Sequence, residues 1–440
     1  MPNTYLKKIQ AGLSPEERLY QIVEHGMCIG CGICQSIAGQ DLVEMQIVEN
    51  DAERPVIKDN LSHEIVDKIM DVCPGTRVEG LPAREVGDES KNDSVWGVWS
   101  EITLAYAAEP KVRHIGSTGG LMTALGLYLL ESNTVNFILH ATISKINPTF
   151  GERFISRNRD DVLTAAGSRY GPTATLIDID HVLTNAESNN ETFAFMGTPC
   201  DVSALRNLAR HDARVDQHCR YMLAMVCGGF MEPEGMKNFL ASLGIRFDEV
   251  TSLRYRGYGC PGPTRIETAS GDIIEKNYLD FWGEDESAWR LPFRCKICPD
   301  GIGDATDIAC SDTWDGGSPT WEGQKTDLGT NAVIARTDKA VQLMHDAEQT
   351  GYIVIEKQIT PRDMDRFQPH QENKKRTVWS RFAGMKSAGA IVPDTRGLRL
   401  ESLARENDFH FNLQQARGTK TRIKQGKSRE NTPKPALSEH

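Results

Sequence analysis

Three cysteines at two-residue spacing suggest metal chemistry near the start of the chain. They lie in the stretch CIGCGIC, at Cys28, Cys31 and Cys34. Thiolates at this spacing can bind three corners of a cubane iron–sulfur cluster, and Gly30 and Gly32 let the backbone curl around it. Zinc and unligated structural cysteines are the alternatives, although zinc sites more often use paired CxxC units. The spacing predicts an iron–sulfur site.

The fourth ligand of that site is not adjacent, because Gln35 follows Cys34. The next cysteine is Cys73, in the stretch VCPG. The intervening residues predict a hairpin and then a helix capped by Ser62, with Cys73 four residues beyond Ile69 on the buried side. We therefore expect Cys73 to complete the site after an inserted hairpin and helix.

A second group of cysteines follows strands later in the chain. GTPC and CGG each come after an apolar stretch, and FRCKICPD contains a CxxC unit. The ends of two such strands meet at one edge of a sheet, so these thiols predict a second cluster, with the ligands Cys200, Cys227, Cys295 and Cys298. Taken alone, a cysteine after a strand is more often a buried small residue. The remaining cysteines are predicted not to bind metal: Cys219, Cys260 and Cys310.

The composition is that of a globular protein of more than one domain, with 440 residues, 39% hydrophobic and 25% charged. No apolar run approaches the roughly 18–20 residues that span a bilayer. The first residues lack the apolar segment of a secretory signal, so we expect a cytoplasmic chain with reduced thiols. The net charge of −11 disfavours general nucleic-acid binding.

Strands and helices alternate between Trp96 and Gly244. The predicted strands include EITLAYAA, VNFILHATIS, ETFAFMG and CRYMLAMV, and the predicted helices include LMTALGLYLLES, DVSALRNLAR and PEGMKNFLASLG. This alternation predicts an α/β core with ligands at the strand ends. After Gly244 the short strands and the loops rich in Gly, Pro and Cys predict a C-terminal α+β part.

The chain divides into three predicted segments. Residues 1–90 form a small N-terminal iron–sulfur domain, residues 91–390 a catalytic core, and residues 391–440 a C-terminal extension. From Arg417 to Lys434 the extension carries seven basic residues and one acidic residue. This composition predicts a flexible basic tail, and the alternative is an arm that guides an acidic partner.

A glycine-rich loop, HIGSTGG at 114–120, lies between a predicted strand and a predicted helix. Such a loop exposes backbone N–H groups to an anion at a helix N-terminus, which fits a flavin or nucleotide phosphate. The alternative is a tight turn with close packing. A nucleophilic role for Ser117 is disfavoured because no G-x-S-x-G frame is present.

Six fragments in order carry a family resemblance: HIGSTGG, GSRYGPT, FMGTPCDVSALR, LRYRGYGCPG, RCKICPDGIGDATDIACSDTW and GTNAVIART. Together they resemble the coenzyme F420 hydrogenase/dehydrogenase beta-subunit family, over roughly residues 24–385. Its members include the beta subunit of the F420-reducing (deazaflavin-reducing) hydrogenase and 7-hydroxymethyl chlorophyll a reductase.

The resemblance implies FAD and two [4Fe-4S] clusters, or one cluster if the N-terminal site is incomplete. It places Cys200, Cys227, Cys295 and Cys298 around the cluster nearest the flavin, and Cys28, Cys31, Cys34 and Cys73 around the outer one. The residues that it places along the FAD are Ser117, Thr118, Gly119 and Gly120, with Ser168, Arg169 and Tyr170 closing over it.

The function expected from this set is that of an iron–sulfur flavoprotein oxidoreductase. A donor such as reduced ferredoxin would pass single electrons through the clusters to FAD, which would then reduce a small organic substrate in a two-electron step. The alternative is an F420-dependent oxidoreductase or electron-transfer subunit that exchanges hydride with F420 and passes electrons to a partner enzyme. A non-catalytic electron-transfer module is a third possibility.

The sequence leaves the proton donor and the partners open. Tyr170, His114 and Lys296 are candidate proton donors because they lie in or beside the motifs. The expected partners are an electron donor and a small-molecule substrate, without nucleic acid or a membrane span, and self-association is left open. Binding the acidic tail of F420 needs a basic surface, which Arg254, Arg256 and Arg265 alone do not establish.

Overall fold

A computed structural model describes residues 4–48, 51–282 and 290–434, so the outermost ends of the predicted first and last segments lie outside the described residues. The helices share the chain with strands throughout its length. In order they are α1 (Thr4–Ile9), α2 (Pro15–Glu24), α3 (Ile33–Ala38), α4 (His63–Val72), α5 (Pro110–Ile115), α6 (Leu121–Glu131), α7 (Arg159–Ala165), α8 (Ile179–Asn189), α9 (Pro199–Leu208), α10 (Arg214–His218), α11 (Pro233–Ser242), α12 (Tyr278–Trp282), α13 (Phe293–Lys296), α14 (Asp338–Gln349), α15 (Pro361–Phe367), α16 (Pro369–Ser387), α17 (Leu400–Glu406) and α18 (Phe409–Lys424).

The strands belong to one large sheet and three small ones. In order they are β1 (Val43–Ile47), β2 (Glu53–Ile57), β3 (Lys91–Asp93), β4 (Gly97–Trp99), β5 (Glu101–Ala107), β6 (Phe137–Ile143), β7 (Gly151–Ser156), β8 (Phe193–Gly197), β9 (Cys219–Met225), β10 (Val250–Arg254), β11 (Thr264–Thr268), β12 (Ile273–Lys276), β13 (Ile308–Ser311), β14 (Asn331–Ala335) and β15 (Ile353–Gln358).

The large sheet has eight strands in the order β15-β5-β14-β13-β9-β8-β6-β7. Its centre is parallel, because β6, β8, β9 and β13 run side by side in one direction, and the outer pairings are antiparallel. The small sheets are the hairpin β1-β2, the pair β3-β4 and the ribbon β10-β11-β12. Parallel neighbours bring their carboxyl ends to one edge, and that edge carries the cysteines after β8 and β9.

Helices cover both faces of the large sheet, and successive side chains of a strand pack alternately on the two faces. On β6, Ile138 packs on the side of α6 and α14, whereas Phe137 and Leu139 pack on the side of α8 and α9. Phe193 of β8 stacks on Phe137 with a ring-centroid distance of 5.1 Å. Side chains that point alternately to two covered faces give the apolar strands seen in the sequence.

The N-terminal and C-terminal segments share one hydrophobic core. Leu19 of α2 and Ile69 of α4 belong to the same buried cluster as Ile391, Phe382 of α16 and Leu400 of α17. The predicted caps are present, since the Ser62 hydroxyl accepts a hydrogen bond from the backbone N–H of residue 65. The C-terminal helices therefore stabilise the part of the chain that carries CIGCGIC.

The basic stretch predicted as a tail begins inside α18, which ends at Lys424. Beyond it, Glu430 accepts two hydrogen bonds from the buried Arg54 guanidinium, at 2.6 and 3.0 Å. Thr432 donates a hydrogen bond to Glu24. The described part of this stretch thus packs beside the N-terminal cysteine loop.

The predicted α/β core is confirmed as a mixed α/β fold. The structure differs after Gly244, where a separate α+β part was predicted, because β13, β14 and β15 join the main sheet. The physical reason for β13 and β14 is burial, because every residue of both strands is buried, whereas β15 joins as an edge strand paired with β5. None of the described helices combines the length and apolarity needed to cross a membrane.

A buried charge cluster fixes α16 to the core and generates the first prediction. Lys375 forms an ion pair with Asp304, which also pairs with Arg399 at 2.7 Å, and both partners of the first pair are 2% exposed. Replacing Lys375 with Ala should lower the free energy of unfolding by roughly 3–5 kcal/mol, because the buried carboxylate loses a partner. Urea denaturation measures the change.

The neighbouring Lys374 is the matched control, because its ammonium only donates to the Gly228 carbonyl at 3.3 Å. Lys374→Ala should cost less than about 0.5 kcal/mol. Equal losses for the two variants would contradict the assignment of Lys375 to a buried network.

A partly buried histidine generates a pH prediction. Burial lowers the pKa of His140 to about 4, and its Nε2 lies 2.7 Å from the Ser156 hydroxyl. The unfolded chain takes up this proton near pH 6.5, so His140 destabilises the fold as the pH falls from about 6.5 towards 4. Between pH 7 and 4.5 the wild type should lose roughly 2–3 kcal/mol more than His140→Gln. His410→Gln, at an exposed position of α18, should keep the wild-type slope.

Candidate functional site

The structure brings the first four cysteines together. Cys28 and Cys31 lie between α2 and α3, Cys34 lies in the first turn of α3, and Cys73 directly follows α4. Burial raises the pKa of Cys73 to about 12, and the neighbouring Cys28 raises it further. Cys73 in turn raises the pKa of the buried Cys31 and Cys34 thiols. We call these four residues the N-terminal quartet.

A second quartet forms at the edge of the large sheet. Cys200 lies in the first turn of α9, Cys227 follows β9, and Cys295 and Cys298 lie in and after α13. Burial raises the pKa of Cys227 to about 12 and that of Cys295 to about 11, with Cys298 a close neighbour of both. Burial also raises the pKa of Cys200, and Cys227 and Cys298 add to the effect. These four residues are the sheet-edge quartet.

Arg294 connects the two quartets. Its guanidinium donates to the carbonyl of Pro74, next to Cys73, with an Nη2–O distance of 2.9 Å. It also forms a hydrogen bond with Cys298. The cysteines outside the quartets are buried elsewhere in the fold: Cys219, Cys260 and Cys310. That they bind no metal stays a prediction.

The glycine-rich loop is occupied by internal contacts. The Ser117 hydroxyl accepts a hydrogen bond from the Ser168 N–H at 2.8 Å, and the Thr118 hydroxyl donates to Asp312. Thr118, Gly119 and Gly120 are buried. The first N–H of α6 points at Asn331 Oδ1, at 3.3 Å. The loop therefore packs as a tight turn rather than as an open phosphate cradle.

A buried arginine that was not predicted as a site residue holds this loop. Arg256 makes a bidentate ion pair with Asp312, at 2.9 and 3.0 Å, and donates to the carbonyl of Ser117 at 2.7 Å. Its Nη1 also lies 3.3 Å from the Tyr170 hydroxyl. Arg256 and Asp312 lie in the fragments LRYRGYG and SDTW, and nothing in the spacing of these fragments pairs the two residues.

Ser168, Arg169 and Tyr170 lie beside the loop, as the resemblance implies, but they face protein groups. The Tyr170 ring packs edge-on against Tyr255 and Trp282, with centroid distances of 5.5 and 5.0 Å. Arg169 donates to the carbonyl of Ser168 at 3.2 Å. The two predicted loops thus form one packed layer around Arg256.

A cleft of about 970 Å³ opens in front of this layer. Aromatic residues on its walls include Tyr106, Tyr258 and Trp321, of which Trp321 is half exposed. Its cationic and polar lining includes Arg113, His114, Lys276, Asn277 and Lys325. A cleft of this size, with flat aromatic walls and cations, suits a planar heterocycle that carries acidic groups.

The three candidate proton donors occupy different places. His114 lines the cleft, with its ring centroid 6.1 Å from that of Tyr258. Tyr170 lies in the layer behind the cleft. Lys296 is exposed at the end of α13, beside the sheet-edge quartet, and does not line the cleft.

Comparison with known proteins identifies the family. The model of the coenzyme F420 hydrogenase/dehydrogenase beta-subunit N-terminal region matches residues 102–189, and that of the C-terminal region matches residues 190–360. Together they span more than half of the chain. The protein belongs to the coenzyme F420 hydrogenase/dehydrogenase beta-subunit family, which confirms the resemblance.

Three characterised relatives carry F420 in their names. Coenzyme F420-dependent sulfite reductase of Methanocaldococcus jannaschii is 21% identical, over 82% of this chain and 52% of its own length. F420-dependent formate dehydrogenase 1 subunit beta of Methanococcus maripaludis is 25% identical, over 58% and 61%. Coenzyme F420 hydrogenase subunit beta of Methanococcus voltae is 23% identical, over 59% and 84%. The chain spans about half to three-fifths of the first two relatives.

A solved structure, the F420-reducing [NiFe] hydrogenase complex from Methanosarcina barkeri, is a distant likeness. It has 16% identity and a TM-score of 0.46, over 65% of this chain and 96% of the matched chain.

The predicted cofactor set of FAD and two [4Fe-4S] clusters is wrong. The relatives are F420-dependent or F420-specific by name, which favours F420 over FAD. Within residues 4–48, 51–282 and 290–434, no group of three or more His, Cys, Asp or Glu side chains has an arrangement that could hold a metal ion. The assignment of individual cysteines as ligands remains a sequence prediction.

The Arg256–Asp312 pair generates a prediction. Arg256→Met should lower the free energy of unfolding by roughly 3 kcal/mol, because Asp312 loses its partner and the Ser117 carbonyl loses a donor. Hydrogen–deuterium exchange should speed up at residues 115–120. The control Arg265→Met removes an exposed arginine paired with Glu267 and Glu275 and should cost less than about 1 kcal/mol. Unchanged exchange in Arg256→Met would contradict its role in holding the loop.

Proposed function

We propose that this chain is the F420-binding component of an F420-dependent oxidoreductase. It exchanges hydride with the deazaflavin and passes the electrons to a two-electron acceptor on a partner enzyme. The observation that carries the proposal is the cleft of about 970 Å³ between Tyr258 and Trp321. Family membership and the F420-dependent relatives support the same cofactor.

The residues of the cleft have separate roles in this proposal. Tyr258 and Trp321 contact the faces of the deazaflavin ring and exclude water from them. Lys276 and Arg113 supply positive charge for the acidic tail. His114, which lines the same cleft, holds or releases the proton that accompanies hydride transfer.

The predicted cofactor-binding loops enter the proposal as support for the cleft. Residues 117–120 and 168–170 pack around Arg256 and keep the rear wall in place. Rigid support of this kind holds a bound ring within reach of its reaction partner. Lys296 has no part in the proposal because it lies away from the cleft.

The proposal differs from the sequence-based expectation in its partners. The electrons pass to a partner enzyme, and neither ferredoxin nor a small organic substrate is involved. The relatives named as beta subunits, those of formate dehydrogenase and of F420 hydrogenase, are parts of larger enzymes by name. The alternative in which ferredoxin reduces FAD requires bound FAD, whereas the names of the relatives point to F420.

Fluorescence titration of oxidised F420 with the purified chain tests the proposal. We expect saturable binding of one F420 per chain, and a roughly tenfold weaker affinity for Trp321→Ala, because the ring loses a stacking surface. Phe409→Ala removes an exposed ring from α18, far from the cleft lining, and should change the affinity by less than about twofold. Absence of F420 binding, or equal effects of the two variants, would contradict the proposal.

A further inference from the structure

Three arginines of the ribbon formed by β10 and β11 have different partners. Arg256 pairs with Asp312, and Arg265 pairs with Glu267 and Glu275 at 3.0 Å each. Arg254 faces Arg265 across the ribbon but pairs with no acidic side chain among the described residues. Its guanidinium donates only to carbonyl and phenol oxygens, namely those of Ile115, Arg256 and Tyr258.

A second arginine with no acidic partner in the described chain lies next to Arg254. Arg169 donates to the carbonyl of Ser168, and its Nε atom is buried with no hydrogen-bond acceptor in the described structure. Burial and the charge of Arg254 lower the pKa of Arg169 to about 10. Two partly buried guanidinium groups repel each other, and this arrangement is costly unless an anion compensates it.

The backbone is shaped to admit the Arg254 head group. Gly167 has φ of +97° and Gly257 has φ of +122°, in the region that favours glycine. A Cβ atom at either position would lie 2.6 Å from an atom of the Arg254 guanidinium. Glycines in two separate loops therefore leave the space that this cation fills.

The arginine pair lies directly behind the cleft. The Arg254 guanidinium stacks on Tyr258 at 4.2 Å from the ring centroid, and Tyr258 forms part of the cleft wall. Ile115, whose carbonyl accepts from Arg254, follows Arg113 and His114 of the cleft lining. Neither arginine is among the lining residues of the cleft, so a ligand in the cleft reaches the pair only with a group that extends past the Tyr258 ring.

We propose that Arg169 and Arg254 form an oxyanion subsite that binds a phosphate or carboxylate in the acidic tail of F420. Two planar guanidinium groups provide parallel N–H donors that match the oxygens of such an anion. The subsite separates recognition of the tail from recognition of the ring by Tyr258 and Trp321. The assignment to F420 rests on the proposed function, whereas the oxyanion chemistry rests on the arginine pair.

Affinities for F420 and for a deazaflavin that lacks the acidic tail test this proposal. Arg169→Met and Arg254→Met should each weaken F420 binding about tenfold or more, and Arg169→Met, which leaves the ring-binding residues in place, should change binding of the tail-less compound by less than about twofold. Arg169→Lys keeps the charge and should lose less than Arg169→Met. The matched control is Arg246→Met, which removes the same charge from an exposed arginine just before β10 that pairs with Asp248, and it should bind F420 nearly as well as the wild type. Equal losses for both compounds, or a loss in the control as large as in the variants, would overturn the subsite.

Inorganic phosphate distinguishes the two sources of the oxyanion. Phosphate should compete with F420 for the wild type and should not compete with the tail-less deazaflavin. Variants that lose phosphate binding yet bind F420 normally would assign the pair to a free oxyanion and overturn its assignment to the tail. If the wild type binds no F420, the proposed function fails. Phosphate binding by the wild type and its loss in Arg169→Met would then still support the oxyanion site, and no phosphate binding would overturn it. Thermal unfolding of each variant verifies that it folds.

Discussion

The ion pair between Arg256 and Asp312 joins the segments that form the rear of the cleft. Arg256 is 4% exposed, and its guanidinium reaches the glycine-rich loop, the loop at 168–170 and the end of β13. The rings of Trp314 and Tyr278 lie over it at 4.8 and 5.2 Å. A buried cation needs a partner and several hydrogen bonds to be tolerated, so this pair fixes the relative positions of all these segments.

The same constraint explains why the glycine-rich loop differs from a phosphate cradle. Its hydroxyl groups and one carbonyl satisfy Arg256, Asp312 and the neighbouring loop, and a Cβ atom at Gly119 would lie 2.7 Å from Asn331 Oδ1. Small residues are needed there for close packing. We therefore expect a ligand to bind on the open side of the layer, where the aromatic and cationic side chains lie.

Local patterns in the sequence were sufficient for much of the fold. Apolar stretches and caps predicted β5, β6, β8 and β9, and the helices α6, α9 and α11. The joining of β13–β15 to the main sheet was missed because strand order depends on long-range pairing. The cleft was missed because its lining comes from segments far apart, around residues 106–114, 258–263, 275–277 and 321–328. Arg254, Arg256 and Arg265 look equivalent in the sequence, and only the groups that each of them contacts in the structure distinguish them. The FAD prediction was based on motifs shared with the family, and such motifs do not distinguish FAD from another flavin-like ring.

We propose that the F420 ring binds in the cleft. Arg256 keeps the loops behind that cleft in place through its contacts with Ser117 and Tyr170. A crystal structure of the chain with oxidised F420 is the most direct test. We expect that structure to show the deazaflavin ring between Tyr258 and Trp321, with His114 at the edge of the ring. A ring bound outside this cleft, at either cysteine quartet or elsewhere on the surface, would contradict it.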